Sequence, residues 1–186
     1  MSVKVQHRLF TVDDYYRMAE TGILTQDDRV ELIEGEIITM SPIGNRHGSC
    51  VMRLIAVFGA LAGKDFILNA QNPVRLNNYS EPQPDISLLK PRNDYYSQGH
   101  PTPDDVLLVI EVSDTTLAFD RLIKVPLYAR AEVPEVWIAD LTGDGVEAYS
   151  EPVNGNYQKV RRASRGETLT PERLPSITVS VDDILG

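Results

Sequence analysis

The chain has 186 residues and a formal net charge of −9, from 18 Lys and Arg against 27 Asp and Glu. That length allows one domain over residues 1–186 with a proper core, and the acidic balance opposes non-specific coating of nucleic acid, which needs cations on phosphates. The longest apolar run, Val106 to Ile110, is too short for a bilayer span, the N-terminus lacks a signal-peptide pattern, and the single Cys50 excludes an intramolecular disulfide or a cysteine-rich zinc site. A cytoplasmic protein is expected, with Cys50 as a small buried residue.

Phe10 to Glu20 reads as a short helix, a lid or clamp at the edge of the fold, with Thr11 as N-cap, Asp14 in the capping-box position and Gly22 just past the end. Two strands follow, Val30 to Ile33 and Glu36 to Met40, joined at Glu34-Gly35, a hairpin signal because glycine accepts the positive φ of a tight turn. From His47 to Ala62, Val51, Leu54, Ile55, Phe58 and Leu61 recur at helical spacing and predict an amphipathic helix ended by Gly63. Strands are then expected at Phe66 to Leu68, Val74 to Leu76, Asp85 to Leu89 and Val106 to Val112, the last being the most apolar and central.

Thr115 or Thr116 is placed to cap a helix through Leu117, Leu122 and Ile123 towards Tyr128, in which Pro126, lacking an N–H, must kink or restart the turn. Glu135 to Asp140 returns as a strand. Gly143-Asp144-Gly145 and Asn154-Gly155-Asn156 then mark turns around antiparallel strands at Val146 to Ser150 and Tyr157 to Ala163. No repeat, linker or low-complexity segment divides the chain.

The chemistry points to two acids. Asp85 follows Pro84 at the start of a strand, and Glu111 closes a run of aliphatic residues, where a carboxylate is costly to desolvate unless a cation or hydrogen bonds compensate it. Mg²⁺ takes few protein ligands, so Asp85, Glu111 and the backbone carbonyl of Val112 are enough to hold Mg²⁺ or Mn²⁺ for a phosphodiester hydrolase. Such a site also calls for a lysine to orient or deprotonate the attacking water. The position two residues after Glu111 is Ser113, and Lys124, four residues after Asp120 on one helical face, is the candidate replacement. From spacing alone a surface ion pair between Asp120 and Lys124 explains that pattern equally well.

The ordered set of Val30-Glu31-Leu32-Ile33-Glu34-Gly35-Glu36, His47, Pro84-Asp85, Ile110-Glu111-Val112-Ser113, Asp120, Lys124, Tyr128-Ala129 and Val133 through Asp140 resembles the Uma2 family over nearly the whole chain. The resemblance implies the restriction-endonuclease-like fold of the PD-(D/E)xK nucleases, an α+β arrangement in which helices flank a mixed β-sheet, with an N-terminal hairpin and C-terminal antiparallel strands. It places metal ligands at Asp85 and Glu111, a relocated lysine at Lys124, a glutamate at Glu31 or Glu34 and a histidine at His47. It also implies nucleic acid, DNA foremost, as substrate and, by analogy with duplex-cutting nucleases, a homodimer.

Glu31 and Glu34 point to opposite sides of an extended strand, and Glu31 is favoured for the site. The dipole at a helix N-terminus disfavours a charged His47, so a neutral imidazole is expected there. Trp137 reads as core or subunit contact, Tyr95-Tyr96 as a base-stacking pair or a dimer contact, and His7 and His100 as loop residues without function. Lys159, Arg161, Arg162 and Arg165 read as a solvated strand face in preference to a nucleic-acid stripe. The leading expectation is a Mg²⁺-dependent endonuclease. The alternatives are a catalytically silent nucleic-acid-binding or regulatory module of the same fold, and a structural or interaction protein.

Overall fold

The computed structural model describes residues 7–186. Helix α1 (Val12–Glu20) opens with the expected capping box: Thr11 Oγ1 accepts from the Asp14 N–H at 3.1 Å, while the Asp14 carboxylate accepts from the Thr11 N–H. Strands β1 (Val30–Ile33) and β2 (Glu36–Thr39) form the antiparallel hairpin, turning through Glu34 and Gly35, both at positive φ. Helix α2 spans Asn45–Leu61 and buries Cys50, Val51, Leu54 and Phe58 along one side, while Ile55 and Leu61, expected on that face, are exposed at its margin. The remaining strands are β3 (Ile67–Ala70), β4 (Ile86–Leu89), β5 (Val106–Ser113), β6 (Glu135–Asp140), β7 (Gly145–Val153) and β8 (Asn156–Ser164).

These six strands pair in chain order, antiparallel everywhere except between β5 and β6. A parallel pair needs a crossover, and the helical segment between β5 and β6 supplies it. Each face of the sheet carries its own apolar cluster. Ile110, Val112 and Trp137 join Leu54 and Phe58 of α2 on one side, while Val109, Val136 and Ile138 join Val125, Leu127 and Tyr128 on the other. Burial on both faces explains why β5 is an almost unbroken aliphatic run. Because strand side chains alternate, Glu111 shares the Val109 face and not the α2 face.

The crossover departs from expectation. α3 (Leu117–Phe119) runs into a π-helical turn, Asp120–Lys124, and then into α4 (Val125–Arg130) without a break at Pro126. The Val125 N–H reaches back to the Asp120 carbonyl, so the proline with no N–H sits where the wider π pattern hands over to the α pattern. Val74 to Leu76 is not a strand. It is extended, and Val74 and Leu76 donate to the carbonyls of Pro82 and Ser80 in a local loop. A small sheet, β9 (Thr168–Leu169) with β10 (Val179–Ser180), and helix α5 (Val181–Leu185) complete the chain and were not legible in its pattern.

Helix α1 is a buttress and not a lid. Tyr15 donates to the Val30 carbonyl, Tyr16 donates to Glu81, and Glu81, also held by Arg75, bridges backbone to backbone with Leu32 of β1. The hairpin is therefore clamped from outside in a fixed register. At its turn, Gly35 has φ of +81°, and a Cβ there would lie 2.6 Å from Leu9 Cβ. Gly35→Ala combines left-handed strain with that clash and is expected to lower stability by more than about 1 kcal/mol, measurable by urea denaturation.

Candidate active site

The β4–β5 register opposes Ile86 to Ile110, which brings Asp85, one residue before Ile86, beside Glu111. Asp85 Oδ2 accepts the Val112 N–H at 2.9 Å and lies 3.1 Å from His47 Nε2, while Gln71 Nε2 approaches Oδ1 at 3.4 Å. In a strand the N–H and C=O of one residue point the same way, so the Val112 carbonyl also faces the Asp85 side, just past the end of β4. His47 reaches this corner from the first turn of α2.

Glu111 sits on the opposite wall of the same corner. Tyr128, fully buried on α4, donates its phenol to Glu111 Oε1 at 2.7 Å. The Lys124 ammonium lies 3.2 Å from Glu111 Oε1 and 3.2 Å from Glu31 Oε2, and Glu31 also accepts the Gln83 N–H at 3.1 Å. The hairpin and β5 thus meet at the ammonium carried by the π turn, and the segment before β4 is tied to them through Glu31. The π turn also carries Asp120, whose Oδ2 accepts from Ser113 Oγ at 2.6 Å and from Thr116 Oγ1 at 2.7 Å. Ser113 therefore fills the expected lysine position with a hydroxyl that anchors the turn bearing Lys124.

Above these groups opens a cleft of about 540 Å³, lined by Glu31, His47, Asp85, Glu111, Val112, Asp120 and Lys124, with Arg29, Met40, Ile43 and Phe119 on its walls. Burial pushes the Glu111 carboxyl up to about 8, and the neighbouring Lys124 only partly opposes that. Burial also works against the Lys124 ammonium, but the combined field of Glu111, Glu31, Asp120 and Asp85 outweighs it and holds its pKa above the ordinary value. His47 differs from expectation. Its hydrogen bond to Asp85 outweighs desolvation and raises its pKa, so the carboxylate favours the charged ring at the helix N-terminus. His47 Nδ1 is the one buried side-chain nitrogen or oxygen without a hydrogen-bond partner among the described residues.

Asp85, Glu111, Lys124, His47 and Glu31 therefore converge, and Glu34 does not: it is exposed and pairs with Arg130 at 2.7 Å. The surface ion pair between Asp120 and Lys124 is absent, since both residues are buried and each has other partners. The roles of Tyr128 and Gln83 and the bonds of Ser113 and Thr116 to Asp120 went unforeseen; Tyr128 and Ser113 stood in the family-like string, and Thr116 was read only as a helix cap. Among the described residues no three His, Cys, Asp or Glu side chains gather into a ready-made metal cage.

The other candidates lie outside the cleft. Trp137 is fully buried core, its Nε1 donating to Glu135, and the Cys50 thiol is buried with its pKa pushed up to about 12. Tyr96 bonds to the Lys90 carbonyl beneath the Arg92 guanidinium, leaving Tyr95 exposed. His100 stacks on Tyr16, and His7 is exposed. Lys159, Arg161, Arg162 and Arg165 each pair with a carboxylate, so they form no free basic stripe.

Removing the ammonium leaves buried carboxylates unopposed, so Lys124→Ala is expected to cost about 3–5 kcal/mol in denaturant unfolding. Glu111 supplies a pH signature. A carboxyl whose folded pKa is raised binds its proton more tightly in the native state, so its stabilising contribution is full below about 4.5 and is lost as pH rises to about 8. Unfolding free energies of Glu111→Gln across that window are expected to fall less steeply with pH than those of the unaltered chain.

Comparison with known proteins places this geometry in a family. The model of the Uma2 family, described as "Putative restriction endonuclease", matches residues 12–182. Among solved structures, a "putative nuclease belonging to DUF820 from Anabaena variabilis ATCC 29413" superposes with a TM-score of 0.64 at 17% identity, covering 95% of this chain and 97% of that one, a likeness of fold. No curated protein matches. No helix among the described residues is long and apolar enough to cross a membrane. With the family model spanning all the segments that build the cleft, the chain belongs to the Uma2 family, and its fold is the α+β nuclease-like one, a six-stranded mixed sheet flanked by helices.

Proposed function

We propose that the cleft hydrolyses phosphodiester bonds of nucleic acid, DNA foremost, with Mg²⁺ or Mn²⁺ as cofactor. The observation that carries this reading is that Asp85, Glu111, Glu31 and Asp120 line one open cleft, with Glu31 and Glu111 both on the single buried ammonium of Lys124. Burial favours a proton on Glu111, and Asp85 favours the charged form of His47. Even so, Asp85, Glu31 and Asp120 outnumber Lys124 and His47, an excess that a divalent cation would relieve while drawing the proton from Glu111. The donors suit a hard ion with few protein ligands: Asp85, Glu111 and the Val112 carbonyl, all oxygen, without the His and Cys set of a zinc site. When bound, such an ion polarises the phosphoryl group and lowers the pKa of water.

The side chains take the remaining roles. Lys124 is held protonated, so it serves as a fixed positive charge that orients the attacking water and offsets charge growing on phosphoryl oxygens, and not as the base. His47 and the Val112 N–H hold Asp85, Tyr128 holds Glu111, and Glu31 holds Lys124 from the far side. A homodimer, by analogy with duplex-cutting enzymes, and a cytoplasmic location, consistent with the buried free thiol of Cys50, belong to the same proposal. A catalytically silent nucleic-acid-binding module is the second reading. It is favoured by the double ion pair that already engages Lys124.

The test is incubation of plasmid, single-stranded DNA and RNA with Mg²⁺ or Mn²⁺. Cleavage is expected for the unaltered chain, with losses of at least a hundredfold in Asp85→Asn and Lys124→Met. Cleavage undiminished in Asp85→Asn rules out this site, and binding without cleavage favours the silent module.

A further inference from the structure

The cleft pairs its acidic floor with an apolar wall. Met40 and Ile43, from the segment joining the hairpin to α2, and Phe119, at the end of α3, all line it, and Ile43 is 46% exposed. An acidic floor alone suits a cation; it explains neither why apolar side chains stand beside it nor why water is left against them. Arg29 lines the same cleft, donating to the Ser41 carbonyl at 3.3 Å, and has no carboxylate partner among the described residues. Arg46 nearby is by contrast tied to Asp114 at 3.2 Å.

We propose, resting on the nuclease reading of this site, that its substrate is an unpaired strand: one nucleotide enters the cleft, its base against Met40, Ile43 and Phe119 and a phosphate on Arg29. A base inside a duplex has both faces covered by its neighbours and cannot meet this wall, whereas an unpaired base has a free face that apolar and aromatic side chains accept whatever the sequence. A space of about 540 Å³ is of the size that receives one small molecule such as a single nucleotide. On a chain of net charge −9, one unpaired guanidinium in the cleft gives little of the phosphate neutralisation on which duplex affinity depends, so stacking must supply the difference.

The test is fluorescence anisotropy with labelled oligothymidylate and with a duplex of equal length, using the full chain in Ca²⁺ and checking on a gel that the probes stay intact. Single strands are expected to bind at least tenfold tighter than duplex. Phe119→Ala and the surface change Ile43→Ser should each weaken single-strand binding about five- to hundredfold and leave duplex binding alone. Arg29→Gln should reduce the slope of log affinity against log salt by about 0.7, the loss of one phosphate contact on a single strand. Duplex binding as tight as single-strand binding, no binding of single strands, or wild-type affinity in both Phe119→Ala and Ile43→Ser each overturns the proposal. Single-strand binding that depends on these residues without cleavage in Mg²⁺ or Mn²⁺ sinks the nuclease reading and leaves this one standing. Cleavage indifferent to strandedness and to both substitutions does the reverse.

Discussion

The site depends on one buried ammonium. Lys124 stands between Glu31 and Glu111 at the floor of the cleft, and an ion pair so nearly buried is costly to leave with one partner missing. Each partner is accordingly fixed by a second bond: Glu31 by the Gln83 N–H, Glu111 by the Tyr128 phenol, and the turn carrying Lys124 by Asp120 on Ser113 and Thr116. The hairpin, central strand and crossover helix are tied together through these contacts as well as through apolar packing.

The π turn makes that arrangement possible. A regular α-helix through Pro126 would carry a missing hydrogen bond and a clash in its interior. The wider turn at Asp120–Lys124 absorbs the proline and directs both Asp120 and Lys124 inwards, towards the end of β5. The lysine that a shorter route would supply at position 113 thus arrives from the next element, and Ser113 secures its path.

Local pattern was legible where the chain's own chemistry decides the outcome. The Thr11–Asp14 capping box, the Glu34-Gly35 turn, the Val51, Leu54 and Phe58 stripe of α2 and the apolar β5 were each readable because the residues that define them are neighbours in sequence, whereas Ile55 and Leu61 of α2 lie outside that stripe. The segment at Val74 to Leu76 misled, since β-branched and aliphatic residues also suit a buried loop whose N–H groups find single carbonyls, Pro82 and Ser80 within it and Pro101 beyond it, in place of a strand partner. The two-residue strands β9 and β10 carry too little periodicity to signal anything, being held by contacts across the fold.

By itself the sequence determined the family and singled out Asp85, Glu111, Lys124 and His47 as candidates, with Glu31 or Glu34 beside them and Ser113 where a lysine was expected two residues after Glu111, because these are matters of residue type and order. Only the tertiary structure decided between Glu31 and Glu34, between a surface ion pair and a buried one for Lys124, and between a neutral and a charge-favouring His47. Those choices turn on burial and on partners dozens of residues away, such as Asp85 against His47. A carboxylate or imidazole takes its charge state from the groups that surround it in space, and spacing along the chain does not carry that information.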